Sequence, residues 1–105
     1  MTAGSLTPTL ALAYLRELSP DVRAALVLDA DGAPLAGEER LAERAREALS
    51  GTAPERARIV RSGSETLLVA RSSRGGAIAV VTGSDALLAL IEHDLVTVLG
   101  ELAEA

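Results

Sequence analysis

The chain has 105 residues, of which 49% are hydrophobic and 24% charged, so it should fold, and it has room for one domain with one core and one functional surface. Its formal net charge is -5, its arginines are scattered and Tyr14 is its only aromatic residue, which argues against nucleic acid or an anionic membrane as a partner. Cysteine is absent, which excludes disulfides, thiolate nucleophiles and cysteine metal sites together.

Taken in chain order, residues 1–5 read as a frayed N-terminus and residues 6–104 as a single domain. The first basic residue is Arg16, so the start of the chain lacks the charged region of a secretory signal, and the expected location is cytoplasmic. Thr7 before Pro8 has the form of an N-cap followed by proline at the first helical position. Leu10, Ala11, Tyr14, Leu15 and Leu18 then recur at helical spacing and read as a first helix, which Ser19 and Pro20 stop. Val22 to Asp29 is apolar on both alternating faces, the pattern of a central strand.

Ala30, Asp31 and Gly32 supply a turn, with glycine able to take the positive φ that a tight hairpin demands. A short strand from Ala33 to Ala36 should follow. Pro34 cannot donate a ladder hydrogen bond, so this strand lies at a sheet edge or begins at Pro34. From Glu38 to Leu49 the period becomes helical, with Leu41, Ala42, Ala45, Ala48 and Leu49 on one stripe and Arg40, Glu43, Arg44 and Glu47 largely off it.

Gly51 to Glu55 reads as a loop. Three strands in meander form are expected at about Arg56 to Arg61, Thr66 to Ser72 and Gly76 to Thr82. Ser84 and Asp85 should cap a last helix whose seam is Leu88, Ile91, Leu95, Val98 and Leu102. The longest apolar runs, Ala77 to Val81 and Ala86 to Ile91, fall well short of the roughly 20 residues of a membrane span.

The expected order is therefore α-β-β-α-β-β-β-α, with a five-stranded, mostly antiparallel sheet. Strands one and five are apolar on both faces and need helices on each side, which makes a three-layer α/β/α sandwich. The third strand carries Ile59 and Val60 with no proline or lysine to guard its edge, so it can pair with another chain.

The search for chemistry returns little. Leu26 to Gly32 resembles the first motif of haloacid-dehalogenase-type phosphatases, in which a first aspartate attacks phosphorus and a second handles the proton. That fold needs a parallel sheet, and this chain runs into a meander, so Asp29 and Asp31 read as a hairpin turn. An EF-hand built on Asp29, Asp31 and Glu38 lacks its remaining ligands. His93, the only histidine, falls opposite the apolar seam of the last helix and reads as a surface residue. Gly75-Gly76 and Ser62-Gly63-Ser64 lie between strands, whereas phosphate cradles lead into a helix, and a chain without lysine has no ordinary Walker A loop. The reading is a non-enzymatic protein with no catalytic residue, metal site or cofactor.

The element order, together with Ala24-Ala25-Leu26-Val27-Leu28-Asp29-Ala30-Asp31-Gly32-Ala33-Pro34-Leu35-Ala36, resembles a Roadblock (dynein light chain) domain of the bacterial type. Val60-Arg61-Ser62-Gly63 and Thr66-Leu67-Leu68-Val69-Ala70 resemble its third and fourth strands, and the resemblance runs from about Leu6 to Leu102. It implies a dimer, with itself or with a related Roadblock protein, in which third strands meet and second helices pair. It also implies a Ras-like small GTPase as the partner to be bound, regulated or scaffolded. On that resemblance Ile59 and Val60 fall on the dimer strand, and Leu41, Ala45, Ala48 and Leu49 on the buried stripe of the pairing helix. Arg40, Glu43, Arg44 and Glu47 form part of the partner-binding surface. The near absence of aromatic anchors departs from the usual interface composition. Two other classes stay open: a small-molecule-sensing α/β domain, and a purely structural homo-oligomer subunit.

Overall fold

The structure is a computed structural model and describes residues 7–52, 57–72, 76–83 and 88–101. Its elements are α1 (Pro8–Leu18), β1 (Val22–Leu28), β2 (Pro34–Gly37), α2 (Ala42–Leu49), β3 (Ala57–Ser62), β4 (Glu65–Arg71), β5 (Ala77–Gly83) and α3 (Leu88–Glu101). A 3₁₀ turn, Glu39–Leu41, leads into α2. The strands form one sheet in the order β2-β1-β5-β4-β3, and all four pairings are antiparallel. The expected order of elements and the three layers are both present.

Two cores, one on each face of the sheet, follow from strict alternation along the inner strands. Ala25 and Val27, Leu68 and Ala70, and Ile78 and Val80 point to one face, where α1 and α3 cover them with Ala11, Leu12, Leu15, Ile91, Leu95, Val98 and Leu99. Ala24, Leu26 and Leu28, Leu67 and Val69, and Ala77, Ala79 and Val81 point to the other, beneath Leu41, Ala42, Ala45, Ala48 and Leu49. This is why β1 shows five consecutive buried residues and no polar alternation.

The elements begin and end for identifiable reasons. Thr7 caps α1, its hydroxyl accepting the Leu10 N–H at 3.3 Å, and Pro8 occupies the first helical position. β2 begins at Pro34 and is an edge strand, so both placements open to that proline hold at once. Helix two starts later than its periodicity suggests. The Glu38 N–H donates to the Ala25 carbonyl at 2.9 Å, which keeps Glu38 in extended backbone on the sheet, and regular α-helix starts only at Ala42. The proposed caps Ser84 and Asp85, the seam residue Leu102 and residues 1–6 lie outside the described residues.

The buried stripe of α1 coincides only in part with the residues that recur at helical spacing. Ala11, Leu12 and Leu15 are buried, whereas Leu10, Tyr14 and Leu18 are exposed. Both sets satisfy a helical period, and the sheet, not the period, selects between them.

Asp29 holds the β1–β2 turn. Its Oδ1 accepts the backbone N–H groups of Asp31 and Ala33, each at 2.9 Å. The turn is open to water, so Asp29→Ala should lower stability by only about 1 kcal/mol in urea unfolding. Asp29→Asn, which keeps the accepting oxygen, should restore most of that; an equal loss in both variants would show that charge and not the turn bonds is at work.

Candidate interaction surface

The outer edge of the sheet is β3. Its partner on one side is β4, in the register Arg58↔Val69, Ile59↔Leu68 and Val60↔Leu67, and it has no second strand partner among the described residues. Leu68 belongs to the core beneath α1 and α3, so Ile59 opposite it lies on that face, and it is 37% exposed. Val60, opposite Leu67, packs at the margin of the core beneath α2. The neighbouring Arg58 and Arg61 are exposed. β2 makes the other edge, but it is four residues long and begins with proline, a poor template for another strand.

Helix α2 and the 3₁₀ turn that leads into it carry the remaining candidate residues on opposite sides. Arg40, Glu43, Arg44 and Glu47 are exposed, with the Arg40 Nε donating to Glu38 Oε2 at 2.9 Å. Leu41, Ala45, Ala48 and Leu49 are at most 6% exposed and pack on this chain's own sheet. Any second helix laid across α2 would therefore meet the charged side. The apolar four would support such a contact from beneath without touching it.

Two arginines that sequence reasoning left aside meet the C-terminus of α2. Arg71 Nη2 donates to the Leu49 carbonyl at 3.1 Å, and a Cβ built on Gly51 would lie 2.3 Å from Arg58 Nη1. Cations at this end complement the helix dipole and the last free carbonyls. No local signal marks them, because each reaches the helix from a strand, Arg58 from the next one along the chain and Arg71 from β4.

A cleft of about 220 Å³ opens beside the same helix end, with Leu28, Leu49 and Ala77 among its apolar lining and Asp29, Asp31, Arg46 and Arg71 among its polar lining. Its polar groups are largely engaged in the fold. Asp29 closes the turn, Arg46 Nη1 donates to the Gly32 carbonyl at 2.9 Å, and Arg71 holds Leu49. A sensing site needs convergent groups left free for a ligand, and this cleft offers few. His93 is exposed on α3, as its position on the helix suggests. Asp94 beside it accepts a hydrogen bond from the Ser19 hydroxyl at 2.9 Å and so ties the end of α1 to α3. Among the described residues no group of three or more His, Cys, Asp or Glu is placed to hold a metal, and no helix is long and apolar enough to cross a membrane.

An antiparallel five-stranded sheet in this order, with one helix on one face and two on the other, defines the three-layer α/β/α class. Within that class the chain has the Roadblock/LC7 fold. It superimposes on a Roadblock/LC7 domain from Streptomyces avermitilis with a TM-score of 0.71 at 20% identity, over 83% of this chain and 87% of that one. It superimposes on MglC from Myxococcus xanthus with a TM-score of 0.65 at 14% identity, over 84% and 89%. For the gliding protein MglB from Thermus thermophilus the values are 0.64 and 16%, over 89% and 85%. At these identities the likeness is one of fold. No protein-family model matches the chain, and no curated protein matches it in sequence.

Proposed function

We propose that this protein is a non-enzymatic Roadblock-type module that dimerises through β3 and binds and regulates a Ras-like small GTPase. The observation that carries the reading is the free edge of β3 with a half-exposed isoleucine in its middle, on a chain whose other sheet edge is short and begins with proline. The fold supports it, since the structural neighbours include a gliding protein and MglB in a tetrameric arrangement. The exposed acidic and basic residues of α2 and the 3₁₀ turn before it, Arg40, Glu43, Arg44 and Glu47, form the surface offered to the partner.

Symmetry narrows how two copies would meet. Antiparallel pairing of identical strands requires a two-fold axis perpendicular to the sheet, which keeps each face on its own side, so the axis passes through a single residue. Axes through Ala57 or Ser62 would pair only the ends of the two strands, and axes through Arg58 or Arg61 would set guanidinium groups directly opposite each other, which is unfavourable. Ile59 or Val60 is left at the axis, and the two α2 helices then stand on one face of a continuous sheet.

Ile59→Arg places a charge at that junction on a residue that the monomer leaves partly exposed, so the fold should survive. Light scattering on the wild type should give a dimer at micromolar concentration, and the variant a monomer with unchanged circular dichroism. A folded wild-type monomer across that range would overturn the dimer. Binding to a Ras-like small GTPase loaded with GTP or with GDP tests the partner separately, and equal or absent binding in both states would overturn that part of the reading.

A further inference from the structure

The layer formed by α1 and α3 carries apolar surface that the fold does not use. Of the seven large hydrophobic residues that stand exposed among the described residues, five lie on these two helices: Leu10, Tyr14, Leu18, Leu90 and Val96. Three of them form a line. Leu10, Tyr14 and Leu18 follow at i, i+4 and i+8 and are 55%, 42% and 41% exposed. They make a ridge about 12 Å long on a helix that contributes Ala11, Leu12 and Leu15 to the core from another side. Isolated exposed leucines are ordinary, but a continuous apolar line on a small domain marks a contact surface.

The charge around this ridge has one sign. Glu17 is the i+3 neighbour of Tyr14 on the helix surface, and no arginine lies three or four residues from any ridge position within α1. The only arginine of the helix, Arg16, turns to Glu38 at 3.9 Å. α3 adds Glu92, Asp94 and Glu101 to the same layer and has neither lysine nor arginine. The chain's other arginines lie on strands, on the 3₁₀ turn and α2, or outside the described residues.

We infer that this ridge is a docking surface for an amphipathic helix of a partner protein, apolar on one side and flanked by basic residues. Apolar residues one turn apart on the incoming helix would pack along Leu10, Tyr14 and Leu18, and its cations would face Glu17 and the carboxylates of α3. A second copy of this chain fits poorly, because two such layers face to face would oppose like charges. The surface is separate from the β3 edge and does not depend on dimer formation or on a GTPase partner.

The test uses the intact protein and two synthetic peptides of about 16 residues, each long enough to span the ridge as a helix. One places leucines one turn apart with arginines on both flanks, and the other replaces every arginine with glutamate. Titrated by fluorescence polarisation, the basic peptide should bind saturably, and binding should weaken as salt rises from about 50 to about 500 mM. The variant Leu10→Ser with Tyr14→Ser should lose about tenfold in affinity with its thermal unfolding little changed, because both residues are exposed in the monomer. Thr9→Ala, an exposed control on the same helix away from the ridge, should bind like the wild type.

Three results would overturn the inference. They are equal binding of the basic peptide to wild type and double variant, equal binding of the acidic peptide, or no saturable binding at millimolar peptide. A fall in solution mass caused by the double variant would assign the ridge to a second copy instead, and would also refute it.

Discussion

Gly37→Ala should lower the stability of the protein by more than about 4 kcal/mol in urea unfolding. Gly37 ends β2 at φ +104, and a Cβ there would stand 2.3 Å from the Ala25 carbonyl oxygen and 2.9 Å from the Leu26 Cα. Those atoms belong to the backbone of β1, which is held by β2 on one side and β5 on the other, so they cannot move aside without breaking a ladder. The left-handed conformation alone costs an L-residue about 1–2 kcal/mol, and the collision adds to it. A total above about 4 kcal/mol is a large part of the about 5–15 kcal/mol that holds a domain together.

Gly63→Ala separates the two contributions. Gly63 has φ +62, yet a Cβ there would meet nothing within 4 Å. That variant should lose only about 1 kcal/mol in urea unfolding. Similar losses for Gly37→Ala and Gly63→Ala would mean that β1 and β2 can separate at little cost.

The second large effect is expected in the core beneath α3. Leu95 is fully buried among the residues that join α1, α3 and the sheet. Leu95→Ala should cost about 2–5 kcal/mol, the sum of lost burial and the cavity left behind. Val96, its neighbour in sequence, is 46% exposed, and Val96→Ala should stay within about 0.5 kcal/mol of wild type. With a shift of about 4–8 °C per kcal/mol for a domain of about this size, thermal melts would separate the two variants clearly. Equal melting temperatures would mean that α3 docks by another face.

The candidate surface was legible in the sequence to the extent that it depends on local pattern. Ile59 and Val60 could be placed on a strand open to pairing with another chain because the meander that follows α2 is marked by its turns and this strand carries neither proline nor lysine. The α2 charges could be placed outside because the alanine and leucine stripe is unbroken. The α1 ridge could not be read in the same way. Leu10, Tyr14 and Leu18 have the same spacing as core residues, and only the position of α1 on the sheet shows that Leu12, not Tyr14, turns inward. Arg71 at the end of α2, and Ser19 with Asp94, join residues far apart in the chain and leave no signal in either segment.

By itself, the sequence determined the order of elements, the burial of β1 and β5 on both faces and the restriction of Pro34 to a sheet edge or the first residue of a strand, because each follows from the period of the hydrophobic residues and from the chemistry of proline and glycine. The tertiary structure alone decided which side of α1 meets the sheet, where α2 begins and which arginines close it. These are outcomes of packing between distant segments, where several local patterns fit equally well and only the shared core selects one.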